Sequence, residues 1–247
     1  MALFLVLALP GPTLAHPELE AQIQHLGTEL AERPGDAELW LKRADLHRRH
    51  GDLDAAREDL DAAARLAPPA ELDFYRGRLL MDAGEPEAAD RAFSAYLSAR
   101  PGHVKTLALR ASVRAELGRF PDAADDLSQA IDLSEHPSPS LYRRQVGAQV
   151  QAGERHWLEA RRTADRGLER FPSEISLLGL ATDLSLALID APAADAYLEQ
   201  LPPSLGELPR WRARMQLARE LAAAGPSPTS SLSERARRNL LEGIGPH

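Results

Sequence analysis

An all-α fold of stacked helical hairpins is what this sequence predicts, and three observations predict it. Ala, Leu, Arg, Asp and Glu dominate, whereas aromatics are 5% of the 247 residues and β-branched residues are sparse. A parallel sheet would need Val/Ile runs and a sandwich would need β-branched strands, so both are disfavoured. Glycines recur at Gly51, Gly84, Gly118 and Gly153, separated by 33, 34 and 35 residues, and small alanines follow them at Ala56, Ala89, Ala123 and Ala160. The segments between carry apolar residues three and four apart, as in Leu53, Ala56, Leu60 and Ala63, which is helical spacing. A helical hairpin of this length cannot bury its own apolar face, so neighbouring units must stack into a solenoid.

The chain opens with a separate element. Ala2–Leu9 is an apolar run of eight residues, closed by Pro10, Gly11 and Pro12 and followed by Thr13, Leu14 and Ala15. Eight helical residues rise about 12 Å, against a hydrocarbon core of about 30 Å, so the run is too short to span a bilayer. An apolar core, helix breakers and a small-residue site match a secretory signal peptide over residues 1–15, cut after Ala15. That places the mature chain in the periplasm or outside the cell. No Lys or Arg precedes the run, which departs from the pattern; the other reading is an apolar helix packed on the body. Residues 16–36 follow as an N-terminal capping helix, with Leu19, Ile23, Leu26 and Leu30 at helical spacing before Pro34.

Residues 37–202 hold four to five repeat units. The first carries Trp40, Ala44, Gly51, Ala56, Leu60, Ala63 and Pro68. The second carries Gly77, Gly84, Ala89, Phe93 and Pro101, with Asp73 where a large residue is expected and Tyr96 where Ala is. The third has Leu107, Ala111, Gly118, Ala123, Leu127 and Ala130. The fourth has Tyr142, Gly153, Ala160, Gly167 and Pro172, with about two residues inserted near His156. A degenerate fifth keeps Leu178, Ala194 and Leu198. This pattern resembles the tetratricopeptide repeat family. The resemblance implies an α-solenoid of antiparallel helical hairpins coiled as a right-handed superhelix, acting as a non-catalytic scaffold whose first helices line a concave groove. Residues 203–225 read as a C-terminal capping helix with Trp211, Met215, Ala218 and Leu221 on one side. Residues 226–247 read as a flexible tail; a short helix over 232–243 is the alternative, and the tail is preferred.

Composition narrows the function classes. No cysteine is present and net charge is −8, which removes thiol chemistry and disulfides and disfavours nucleic acid as a partner. The only lysines are Lys42 and Lys105; this preference for Arg is a feature of GC-rich bacterial genomes. No Walker loop, GxGxxG, GxSxG or HExxH occurs, so neither an enzyme nor a cofactor is expected. The carboxylates Asp52, Asp54, Glu58, Asp59 and Asp61 read as a solvated helix face. His47 and His50 are three apart but lack a third metal ligand, and His47 takes a repeat position where Tyr commonly packs, so the pair reads as structural. His16 would begin the cleaved chain and could hold copper only with a second histidine that nothing places.

Arginines concentrate on first helices and acids on second helices. Carried over from the family, groove positions fall on Leu41, Asp45 and Arg48, then Phe74 and Arg78, then Lys105, then Arg143, Gly147 and Val150. The expected binding residues are Arg48, Phe74, Arg78, Lys105 and Arg143. The family's clamp for chaperone tails, built from Lys and Asn, is not matched. The expected partner is a protein or peptide; an acidic segment is one reading of the arginines, and the other takes them as ordinary solvated helix residues. A structural alternative is an assembly subunit that self-associates through its terminal repeats, which an exposed apolar patch at 207–241 would favour. A third is an exported metal-handling protein using His16.

Overall fold

The helices begin and end where the sequence supplies caps. Asp36 precedes α2 (Ala37–His50), and its carboxylate accepts the amides of Glu38 and Leu39. Asp52 caps α3 (Leu53–Ala63) through the amide of Ala55. Between them Gly51 sits at φ +92°, and the amides of Gly51 and Asp52 return to the carbonyls of Arg48 and His47. A left-handed residue closes a helix in this way, and glycine adopts it without a Cβ penalty. The same paired bonds recur at Gly84 and Gly118. After Gly153 the inserted residues form a 3-10 turn, Glu154–His156. In the fifth turn the glycine position is held by Ile189 at φ +61°, and the amides of Ile189 and Asp190 bond to Leu186 and Ser185. The turn is conserved in geometry while a β-branched residue bears the steric cost.

The computed structural model describes residues 17–66, 68–225 and 228–244 and divides into two compact units, Met1–Ala92 and Phe93–His247. The expected signal segment and His16 lie outside the described residues. Among the described residues there is no strand, and no helix is long and apolar enough to cross a membrane. The fold is all-α, an α-solenoid of successive helical hairpins.

Unit 1 contains α1 (Pro17–Glu32), α2, α3, α4 (Pro69–Asp82) and the first half of α5 (Pro86–Ala99). Helix α1 packs on α2, α2 on α3, and α4 on both. Their core is Leu41, Ala44, Ala56, Leu60, Ala63, Leu72 and Leu79, with Trp40, Leu53 and Tyr75 partly buried against it. Ala44 and Ala56 are small because two helix axes approach to about 8–10 Å there.

Unit 2 contains the second half of α5, then α6 (Val104–Glu116), α7 (Phe120–Leu133), α8 (Pro139–Gln151), α9 (Trp157–Arg170) and α10 (Ile175–Ala187). After these come α11 (Ala191–Leu198), the single-turn α12 (Pro203–Gly206), α13 (Pro209–Ala224) and α14 (Ser230–Ile244). Each of α6 to α10 packs on its successor. Helix α10 also meets α8, α13 and α14, so every residue from Leu177 to Ala187 is buried.

Three expectations need correction. Residues 230–244 are no tail: α14 lies on α10 with Ala236 and Leu240 fully buried, because those two residues, four apart, give the helix an apolar stripe that finds cover. Asp59 leaves the solvated face: Asp52, Asp54, Glu58 and Asp61 are exposed, but Asp59 is 3% exposed and accepts Arg43 Nε and Nη2 at 2.8 and 2.6 Å. Leu41 and Val150 belong to the core instead of a groove wall.

Candidate functional site

Helix pairs are locked by ion pairs buried between them. Arg43 on α2 grips Asp59 on α3. In unit 2, sixteen residues likewise separate Arg110 on α6 from Asp126 on α7. Arg110 donates at 2.9 and 2.6 Å and Arg114 adds a third bond at 2.9 Å. Arg43 and Arg110 therefore face their own hairpin.

In unit 1 the expected residues Arg48, Phe74 and Arg78 meet around Asp45. Arg48 Nε donates to Asp45 at 3.0 Å, Arg78 Nη1 approaches the same carboxylate oxygen at 2.7 Å, and Arg48 also pairs with Asp82. Arg78 lies over the Phe74 ring at 5.6 Å, and Phe74 meets Tyr75 edge-on at 5.4 Å. Burial, then Asp45, push the Tyr75 hydroxyl above its ordinary value. Two guanidiniums share two carboxylates here, so this cluster is close to charge-neutral and rigid. Nearby, His47 Nε2 lies 3.9 Å from Asp59 and His50 Nε2 lies 3.5 Å from Glu20.

In unit 2, Lys105 is exposed in the first turn of α6. Arg143 is exposed on α8, where it lines a cavity of 660 Å³ that Lys105 does not reach. Helices α8, α10, α13 and α14 wall this cavity, which also holds Arg144, Arg210, Arg214, Glu174 and Asp183. Asp183 and Arg214 form a two-pronged pair at 2.7 and 2.5 Å with both side chains buried. Burial raises the Asp183 carboxyl against the downward pull of Arg214. Arg214 also stacks on Trp211 at 4.5 Å. Gly179 makes room for that stack, since a Cβ there would stand 3.3 Å from Arg214 Nη2 and 3.6 Å from Trp211. Arg144 donates to the Ala108 carbonyl at 2.6 Å and the Ser112 hydroxyl at 2.7 Å, and burial lowers its guanidinium below the ordinary value.

Sequence reasoning found Arg143 but missed Arg210, Arg214, Asp183 and Trp211 as parts of one cavity. A signal was present. Asp183 is the single carboxylate inside the apolar run of α10, and a lone acid in such a helix calls for a cationic partner.

The repeat architecture defines a class of scaffold protein. A family model described as Tetratricopeptide repeat matches residues 23–71 and 75–137, and that part of the chain carries tetratricopeptide repeats. Members of this class are typically scaffolds for protein–protein interaction and generally non-catalytic. Among solved structures it is similar to the C-terminal part of a TPR repeat-containing protein from Cytophaga hutchinsonii, at 15% identity and a TM-score of 0.67, covering 91% of this chain and 90% of that one. It is also similar to YrrB, described as a TPR protein with an unusual peptide-binding site (16% identity, TM-score 0.60, 86% and 97% covered). A third is PilW, described as a widely conserved type IV pilus biogenesis factor (19% identity, TM-score 0.59, 81% and 91% covered). At these identities the likeness is one of fold. No curated protein matches the sequence.

Proposed function

We propose that this protein is a non-catalytic scaffold that holds a protein or peptide segment against the outer surface of its first helices, in the periplasm or outside the cell. The observation that carries this is preorganisation. Arg48, Phe74 and Arg78 are fixed by Asp45, Asp82 and ring stacking before any partner arrives, so little side-chain freedom is left to lose on binding. The description of YrrB as a peptide-binding TPR protein supports the same reading. The apolar run Ala2–Leu9 and the small-residue site at Ala15 support export.

Self-assembly through the terminal repeats is the weaker reading, because the apolar residues at 207–241 that would drive it are largely occupied. Trp211, Leu217, Leu221, Ala236 and Leu240 are all buried.

Two measurements test the proposal. Mass spectrometry of protein recovered from its host should find a chain starting at His16; an intact Met1 chain in the cytosol overturns the export part. Quantitative affinity capture from the host envelope should lose its main protein partner about tenfold with Phe74→Ala/Arg78→Gln, the equivalent of about 1.4 kcal/mol. Equal recovery by the variant rejects the first-helix surface.

A further inference from the structure

We propose that the unit 2 cavity between α8, α10, α13 and α14 receives a carboxylate-bearing peptide segment, in which acidic residues alternate with apolar ones. The idea rests on the scaffold reading and names the ligand and its seat. The seat lies beyond residue 137, where the family match ends, and is built from helices outside that match.

Charge comes first. Four arginines line the cavity against two acids, Glu174 and Asp183. Asp183 is consumed by Arg214, and Glu174 accepts the Ser176 hydroxyl at 2.5 Å. Among the described residues, no carboxylate pairs with Arg143, Arg144 or Arg210. Arg144 is the sharpest case. It is partly buried, which holds its guanidinium below the ordinary value, and its bonds go to one carbonyl and one hydroxyl, neither of them an anion. A desolvated cation without a counter-ion is costly, and an incoming anion offsets that cost. Guanidiniums also match the flat two-oxygen geometry of a carboxylate.

The second argument is the wall between the charges. Ile175, Leu180, Trp211 and Ile244 line the same cavity. A volume of 660 Å³ falls within the range of about 300–1,000 Å³ for sites that enclose small ligands or side chains. A bare phosphate would use only the arginines and leave this apolar surface wet. A peptide with alternating acidic and apolar residues satisfies both kinds of wall. A long polyanion is disfavoured, because the chain as a whole carries a net charge of −8 and would repel the parts outside the cavity.

The test uses the full chain and a fluorescently labelled, C-terminally amidated pentapeptide of alternating leucine and glutamate, read by anisotropy. Saturable binding is expected, and Arg143→Gln/Arg210→Gln should weaken it by about tenfold or more. Both arginines are exposed and lack ion pairs among the described residues, so melting should stay unchanged and the variant remains interpretable. The matching leucine/glutamine peptide should bind far more weakly, and inorganic phosphate should compete only at much higher concentration. Absent binding, or an equal Kd in the double variant, overturns the proposal. Phosphate competing at the concentration of unlabelled peptide also overturns it and makes the cavity a small-anion site. Peptide binding that survives the double variant but falls with Phe74→Ala/Arg78→Gln keeps the scaffold reading and rejects this seat.

Discussion

Asp126→Asn is the sharpest perturbation of what holds the repeat units rigid. Asp126 is 1% exposed and accepts three bonds, two from Arg110 and one from Arg114. The substitution keeps the shape and one acceptor oxygen but removes the negative charge that Arg110 and Arg114 share at this point. Removing one member of a buried pair costs about 3–5 kcal/mol. The Arg110 and Arg114 side chains are 14% and 19% exposed, so water relieves part of the charge and the lower end, about 3 kcal/mol, applies. For a unit of this size that is a drop in melting temperature of about 6–12 °C. Asp59→Asn removes a two-bond pair with the more exposed Arg43 and should cost less, about 2 kcal/mol. Urea unfolding followed by far-UV circular dichroism gives the magnitudes, and amide hydrogen exchange shows which unit loosens. Replacing both members, Arg43→Met with Asp59→Leu, should be close to neutral. A wild-type unfolding midpoint for Asp126→Asn refutes the reasoning, and a paired replacement as damaging as the single one shows that charge compensation is not the role of these carboxylates.

Ala111→Leu should overpack the α6–α7 hairpin, since Ala111 is 1% exposed, and lower stability by about 1–3 kcal/mol; an unaltered melting curve contradicts the repeat register. His103 should make the start of α6 sensitive to acid. Its Nδ1 accepts the Thr106 amide at 3.3 Å and lies 2.7 Å from the Thr106 hydroxyl, and burial, then Arg100 and Lys105, hold its titration below the ordinary value of 6.5. The folded state therefore takes up this proton less readily than the unfolded state, so the contribution is complete above 6.5 and declines as pH falls through the lower folded-state value. His103→Asn keeps a capping side chain and should remove that component; an identical acid profile in the variant counts against it.

The helices were legible because each depends on local signals. Asp36 and Asp52 are caps, Gly51, Gly84 and Gly118 are turns, and Ala44 and Ala111 mark close approach; none requires knowledge of a distant residue. What escaped the sequence depends on partners far along the chain. Asp59 and its exposed neighbours look alike in sequence, and only Arg43, sixteen residues earlier, separates the buried carboxylate from the solvated ones. The fifth turn hid because Ile189 gives no glycine signal while making the glycine's hydrogen bonds. The cavity hid for the same kind of reason. Arg143 and Arg210 stand on elements 67 residues apart in sequence, and their meeting depends on α13 and α14 folding back onto α10 instead of trailing away.

That return has a consequence for the order in which the protein takes shape. In a repeat array each hairpin ordinarily completes its surface with the next one, so structure can accrue from one end as the chain emerges. Helix α10 breaks the rule. Its full girdle includes α13 and α14, and residues 230–244 come last among the described helices. Until they leave the ribosome, or the translocation channel if the chain is exported, Asp183 lacks part of its cover and the apolar flank of α10 stands open. The early hairpins can set as they appear, whereas α10 completes its cover only once α13 and α14 have emerged.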